Sequence, residues 1–440
     1  QTMESLYNAS SKLQRPEILL SFLNDPVAEV RLLGEILTDR MIAANESIPP
    51  EIRQRVRVLL FDDDPRVRES AAALEANLSD AKTMGLLLGR LRAEENPDVR
   101  VGLLKALGQL KSSKSVPELL MEITDRGDAE ANAAAEALGR IVADNPLEEP
   151  QKIHAAKVVI QRYRQSLEQK NSVDLRESLL TALGALGDGA AKVLLRSALK
   201  DPAAVIRLAA LNGLSNLNAK EAVEAIVPLV QDEDRGVRQA ALTALISLDG
   251  KDYLKTILRC TDPKLEPDPA VRKEAVDGVL TICDQADVKT LNEVLDFLAE
   301  RTEARKLQIQ ILERKAAILK TPKAPGVPET LRQTGRLLLA DDRADEAVDL
   351  LAEAWALLQA YPNRQNEARA AWFEYVQAML SADSPAVIRV LNEQTHPKDY
   401  DKALQLLLKR LETLQKEQQY LEVIALAGGA VKQLTVRLTE

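Results

Sequence analysis

Apolar side chains recur at three- and four-residue spacing along nearly the whole chain, in runs of about three turns separated by short polar turns. Nowhere do they alternate with the period of two that a half-buried strand requires. The pattern predicts an all-α protein of short amphipathic helices. "EIRQRVRVLLF" (51–61), "TMGLLLGRLRA" (83–93), "VPELLMEI" (116–123), "AAKVLLRSAL" (190–199) and "EAVEAIVPLV" (221–230) each read as one such helix. Each is followed by a second helix that opens on a shared signature, so the predicted unit is helix, short turn, helix.

That signature is Pro…Val-Arg. It ends at Arg31 in "DPVAEVR", Arg68 in "DPRVR", Arg100 in "NPDVR", Arg176 in "SVDLR", Arg207 in "DPAAVIR", Arg238 in "DEDRGVR" and Arg272 in "DPAVR". The separations are 37, 32, 76, 31, 31 and 34 residues, and the long one divides into 31 and 45 if Ala131 takes a degenerate arginine slot. From the third slot onward a small residue stands six positions later, at Ala106, Ala137, Ala182, Gly213, Ala244 and Gly278. Helix spacing depends on the side chains at the contact, so small residues let a neighbouring helix come close.

Asp64 precedes Pro65 as a helix N-cap precedes a first-turn proline, whose absent N–H and fixed φ cost nothing there. Asp25, Asn96, Asp201 and Asp268 stand before their own prolines and are expected to cap in the same way. Each cap contributes about 0.5–2 kcal/mol by accepting unpaired amides at the positive end of the helix dipole. The seven arginines, one turn further in, are expected to reach an acid or carbonyl of the adjacent unit. The run Asp62–Asp64 is thereby fold punctuation rather than a metal cluster, with Asp62 and Asp63 as solvated acids at a helix end.

With "KALGQL", "EALGRI" and "TALGAL" following the Asp-Pro-x-Val-Arg signature, the chain resembles HEAT repeats over about residues 15–290. The resemblance is to the short bacterial HEAT-like kind, also found in phycobilin lyase subunits. It implies a right-handed α-solenoid whose capped helices line the concave surface, a surface commonly used to grip proteins. It implies no chemistry.

Beyond residue 290 the pattern changes. Residues 291–320 read as one long charged helix, and "TPKAPGVPET" (321–330) as a proline-rich linker. The expected division is therefore a solenoid over 1–290, a long helix and linker over 291–328, and a helical module over 329–440. Segments 341–358 and 417–434 are similar to the second half of a tetratricopeptide repeat, and 398–414 reads as another such helix, although most of that repeat's landmark residues are absent. Trp372, Tyr375 and Met379 share one helical face, and Phe373, Val376 and Leu380 another. Core packing is the favoured reading of both, with docking as the alternative.

Composition narrows function by exclusion. The 440 residues carry a net charge of −9, which disfavours nucleic acid, because phosphate binding depends on Lys and Arg. No apolar run approaches the roughly 18 residues that span a bilayer, so no membrane insertion is expected. Cys260 and Cys283 are expected as buried free thiols, which favours a reducing compartment. A processed end at Gln1 would instead point to export. His154 and His396 stand alone and are read as surface or packing residues. "GALGDGAAK" (184–192) lacks the lysine and hydroxyl of a P-loop, and its glycines read as helix ends.

No residue is assigned to catalysis, a cofactor or a metal. The expected function is a non-enzymatic scaffold that binds other proteins, with Arg66, Glu69, Asp98 and Arg235 nominated on the exposed faces of capped helices. The alternative is an enzyme or enzyme subunit on the same frame, either bilin lyase-like or a helical-repeat base glycosylase.

Overall fold

Helix formation follows the apolar spacing. The computed structural model describes residues 2–11, 13–169, 172–319, 324–392, 397–419, 422–423 and 425–426. Those residues are helical with short turns and contain no strand, and the protein is an all-α solenoid. They fall into two compact units, residues 1–249 and 250–440. The break precedes the seventh arginine slot, so compactness and repeat pattern divide the chain at different points.

In unit 1, α1 (Thr2–Ala9) precedes a series of pairs. These are α2 (Arg15–Leu23) with α3 (Ala28–Ala43), α4 (Pro50–Leu59) with α5 (Pro65–Leu78), and α6 (Thr83–Ala93) with α7 (Pro97–Gln109). Next come α8 (Val116–Asp125) with α9 (Asp128–Asp144), and α10 (Glu149–Gln169) with α11 (Val173–Leu186). The last are α12 (Lys192–Ala198) with α13 (Ala204–Asn216), and α14 (Val223–Ile226) with α15 (Arg235–Asp249). The residue before most arginine slots is the buried anchor of its second helix: Val67, Val99, Leu175, Ile206 and Val237 are all in the core, while Val30 is half-buried.

Second helices form an unbroken stack, α3 on α5 and onward to α15, whereas first helices meet more sparingly, α2 with α4 and α8 with α10. The physical cause is the small-residue row. A Cβ added to Gly184 of α11 would lie 2.6 Å from the Cα of Gly213 on α13, so those two backbones touch directly. Gly187, three residues later, ends α11 in the left-handed region at φ 71°, the helix-stop role read for this segment.

Unit 2 comprises α16 (Leu254–Arg259), α17 (Pro269–Asp284), α18 (Val288–Leu298), α19 (Arg305–Leu319), α20 (Val327–Ala340), α21 (Ala344–Gln359), α22 (Gln365–Ser381), α23 (Val387–Asn392) and α24 (Pro397–Lys416). The single long helix expected over 291–320 is two helices, with a 3-10 turn at Thr302–Ala304 between them. Leu298 and Leu307 are both buried, and α18 packs on α19. Folding back lets each apolar stripe cover the other, and the Gln308 side-chain amide donates to the Leu298 carbonyl at the helix end. Trp372 is buried with Val376, Met379 and Leu380, while Tyr375 is half-buried and stacks on Trp355 at 5.9 Å between ring centroids. Cys260 and Cys283 are buried and not joined in a disulfide, and burial pushes the Cys283 thiol up to about 11. His396 and most of 417–434 lie outside the described residues.

Candidate functional site

Five of the seven signature arginines, Arg31, Arg68, Arg100, Arg176 and Arg207, each build one rung of a ladder to an acid of the next unit. Arg31 donates through Nη1 to the carbonyls of Asp25 and Pro26 in its own turn, both at 2.9 Å, and through Nη2 to Asp62 of the next unit at 2.7 Å. Arg68 repeats this with the Asp62 and Asp63 carbonyls and with Glu94. Arg207 repeats it with the Asp201 and Pro202 carbonyls and with Asp232 at 2.6 Å. Arg176 reaches Asp201 at 2.6 Å, and Arg238 and Arg272 bind the carbonyls of their own turns. Arg100 is the most enclosed, its Nη2 held by both oxygens of Glu122.

Glu122 stands outside the common register, but for Arg31, Arg68, Arg176 and Arg207 the receiving acid stands six residues before the next arginine. It does two jobs: Asp62 accepts Arg31 and also the Asp64 amide at 2.9 Å, and Asp232 likewise accepts Arg207 and the Asp234 amide. Burial alone would raise the Asp232 carboxyl, but the Arg207 hydrogen bond and the Asp234 amide hold it below the usual carboxylate range. Asp62 is therefore a nearly buried rung and not the solvated acid expected from its place at a helix end.

N-caps separate into two kinds. Asp64 accepts the Arg66 amide, Asn96 those of Asp98 and Val99, and Asp268 those of Ala270 and Val271. Asp25 and Asp201 do not cap. Their helices open two residues later, at Val27 and Ala203, with no side-chain cap, and the two acids occupy the rung position, accepting the Val27 and Ala203 amides. The cause is the two extra residues in "DPVAEVR" and "DPAAVIR", which move Asp-Pro from the cap to the rung. Where Ala131 leaves no arginine, Arg162 enters from α10 and donates to Asp128 at 3.2 Å.

Arg66, Glu69, Asp98 and Arg235 are exposed at the starts of α5, α7 and α15, so the structure groups the first three and places Arg235 several pairs away. Arg66 is engaged by Asp64 at 2.7 Å and by Glu29 of α3 at 3.0 Å, and its guanidinium holds the Asp64 carboxyl down to about 2.

Sequence reasoning missed two grooves in the first-helix layer. α10 is 21 residues long and its neighbours α8 and α12 are 10 and 7, so α10 outruns both. A groove lies on each side. One, of about 660 Å³, has an apolar wall of Val116, Pro117, Leu120, Met121 and Val158, with His154 and Asp125 at its edge. The other, of about 880 Å³, runs between α10 and the turn at 189–191. Met121 is 50% exposed and Ile153 52%, two of several large apolar side chains that unit 1 leaves open, and these two stand on the groove walls. The available signal was the 45-residue spacing after Ala131.

Chemically the grooves are quiet. Among the described residues no three His, Cys, Asp or Glu side chains gather as a metal-binding group, and His154 makes no hydrogen bond. No helix among those residues is long and apolar enough to cross a membrane.

Paired helices stacked in one register, tied by a repeating arginine, define a helical-repeat protein. Residues 52–139, 160–246 and 193–266 match the family described as HEAT repeats, so this part of the chain is an array of HEAT repeats. The match omits 140–159, which includes the first half of α10. No curated protein matches the chain. Similar solved structures include the archaeal HEAT-like repeats protein from Thermococcus onnurineus NA1, at 17% identity over 55% of this chain and 98% of that one, TM-score 0.38. The complex of CpcE and CpcF of phycocyanin lyase from Nostoc sp. PCC7120 is 20% identical over 56% of this chain and 94% of that one, TM-score 0.37. Kap95p, in a structure with RanGDP, is 14% identical over the whole of this chain and 66% of that one, TM-score 0.45.

Proposed function

We propose that this protein is a non-enzymatic scaffold that binds other proteins, with a principal contact surface on the first-helix face around α8 and α10. The observation that carries this reading is the apolar groove beside α10, open to solvent and lacking any convergent set of titratable groups. A contiguous exposed apolar wall of this kind, as distinct from single exposed side chains, marks an interaction site. HEAT repeats commonly serve protein–protein interaction, which agrees with this reading. Arg66, Glu69, Asp98 and Arg235 are proposed as polar contacts on the second-helix face. The division into a HEAT-like array over 1–290, a connecting segment over 291–328 and a tetratricopeptide-like module over 329–440 belongs to the same proposal.

The test is affinity capture with the full chain, comparing wild type with Met121→Glu and with the conservative Met121→Leu. Proteins recovered by wild type and Met121→Leu should be lost with Met121→Glu, while the melting temperature stays unchanged. The same proteins recovered by all three would overturn this surface as the contact site.

A further inference from the structure

We propose that the groove between α10 and the turn at 189–191 receives an amphipathic helix of a partner protein, bearing two carboxylates two turns apart. The inference rests on the scaffold reading but concerns a different groove.

The shape of the site comes from unequal helix lengths. At about 1.5 Å per residue, α10 extends about 31 Å and α12 about 10 Å, so the first-helix layer stands open beside α10 for about 20 Å. The groove is elongated accordingly. Its α10 wall runs from Glu149 to Glu168 along a single helical face, a span of about 28 Å that no small ligand would fill. A helix of four to five turns lying in this space would take the place of a longer α12, with ridges packing into grooves as between the protein's own helices.

The lining states the chemistry. Ile153, Ala156 and Ile160 are its apolar positions on α10, and Ala190 faces them from the opposite wall. Between and beyond the isoleucines are Lys157 and Arg164, seven residues apart on the same face, hence about 10 Å apart along the axis. Both are exposed and neither makes an ion pair or hydrogen bond. This sets Arg164 apart. Among the described arginines of unit 1, only Arg164 and Arg196 of α12 engage no carboxylate, carbonyl, ring or other partner.

The acids of the same groove are mostly occupied. Glu149 pairs with Lys152 at 2.6 Å, and Asp188 holds the Ala190 amide at 2.7 Å. Glu168 is the exception, at the far end of α10. A partner helix therefore meets two open cations and then one open anion, which favours carboxylates at positions i and i+7 and a basic residue a turn further on. Complementary charge of this kind chooses the partner and its register more than it adds affinity.

The experiment uses the full-length protein and two synthetic 18-residue probes with the same apolar stripe. One carries glutamates at i and i+7, and its twin carries lysines there. Fluorescence anisotropy at low salt should show the glutamate peptide binding wild type about tenfold more tightly than its twin, as expected for two rim charge pairs. The preference should invert in K157E/R164E, with helicity unchanged by circular dichroism. An uninverted preference, or binding of neither peptide, overturns the proposal. Equal competition by a 20-nucleotide single strand would reveal a general anion patch and overturn it as well. So would wild-type dimers in sedimentation that K157E/R164E abolishes, since the occupant would then be a second copy. Proteins captured in a Met121-dependent manner by K157E/R164E would leave the scaffold reading intact while this one failed.

Discussion

The interface of α3 with α5 and that of α11 with α13 share one plan and differ in what they bury. Both carry a rung, Arg31 to Asp62 in the first and Arg176 to Asp201 in the second. Four residues after the arginine slot, the later units bury an apolar side chain: Ala72, Leu104, Ala135, Leu180, Leu211 and Leu242 are all fully enclosed. The first unit places Glu35 there. It is 0% exposed, both of its oxygens lack a hydrogen-bond partner, and burial pushes its carboxyl up to about 8. The Ser70 hydroxyl of α5 offsets burial only in part, without reaching hydrogen-bonding geometry. One repeat plan thus holds carboxylates of opposite electrostatic sign, some favoured when charged and one favoured when neutral.

The sharpest way to break this comparison is pH. Native Glu35 retains a proton between its ordinary value of 4.5 and about 8, whereas the unfolded chain has released it, so the stability of the first pairs should fall as pH rises through that window. Over the whole window the loss is about 5 kcal/mol, from about 1.4 kcal/mol per pH unit. Native-state hydrogen exchange on α3 and α5 should show it, and Glu35→Gln should abolish the slope and protect those amides at pH 9. An unchanged slope in Glu35→Gln would show that ionisation of this residue does not control the interface.

Next in size is Arg207→Ala. It leaves the nearly buried Asp232 carboxylate without its cation and frees two turn carbonyls, and removing one partner of a buried pair costs about 3 kcal/mol. Exchange should quicken in α13 and α15 at neutral pH with helicity retained. The sign is opposite to that of Glu35: Asp232 is held below its ordinary range, so its contribution is present at neutral pH and lost as pH falls through the acid range. Equal protection in wild type and variant would remove the ladder from the account of stacking.

Gly184→Ala comes third. Its methyl group would have to displace the Gly213 backbone, an overpacking cost of about 1–3 kcal/mol, measurable as a lowered urea midpoint. Arg66→Ala should lower the urea midpoint least of the four, because the pairs it makes are exposed. A larger loss would mean that the exposed second-helix face bears on stacking.

Much of the solenoid could be read from residue spacing, and the misreadings share a cause. The slots, the buried anchors at Val67 or Val237 and the small-residue row all lie within one helix, where the 3.6-residue period ties position to face. Asp25 and Asp201 were misplaced because a two-residue change in turn length decides whether an Asp-Pro acid meets its own helix or the preceding arginine. Asp62 looked solvated for a related reason, since the arginine that covers it is 31 residues away. The grooves beside α10 left only an indirect trace, an uneven repeat length, because a groove depends on three helices at once. Glu35 left none, since a carboxylate at an apolar position reads in sequence as a break in the stripe.

Local geometry, then, was settled along the chain: which segments coil, where most begin and which face each buries, because those properties depend on residues within a turn or two of one another. Tertiary structure alone decided which acid meets which arginine, how far α10 projects past its neighbours, and that Lys157 and Arg164 are left without partners. Those outcomes depend on distances between helices that are far apart in sequence, and a difference of two residues in a turn, or of ten in a helix, is enough to change them.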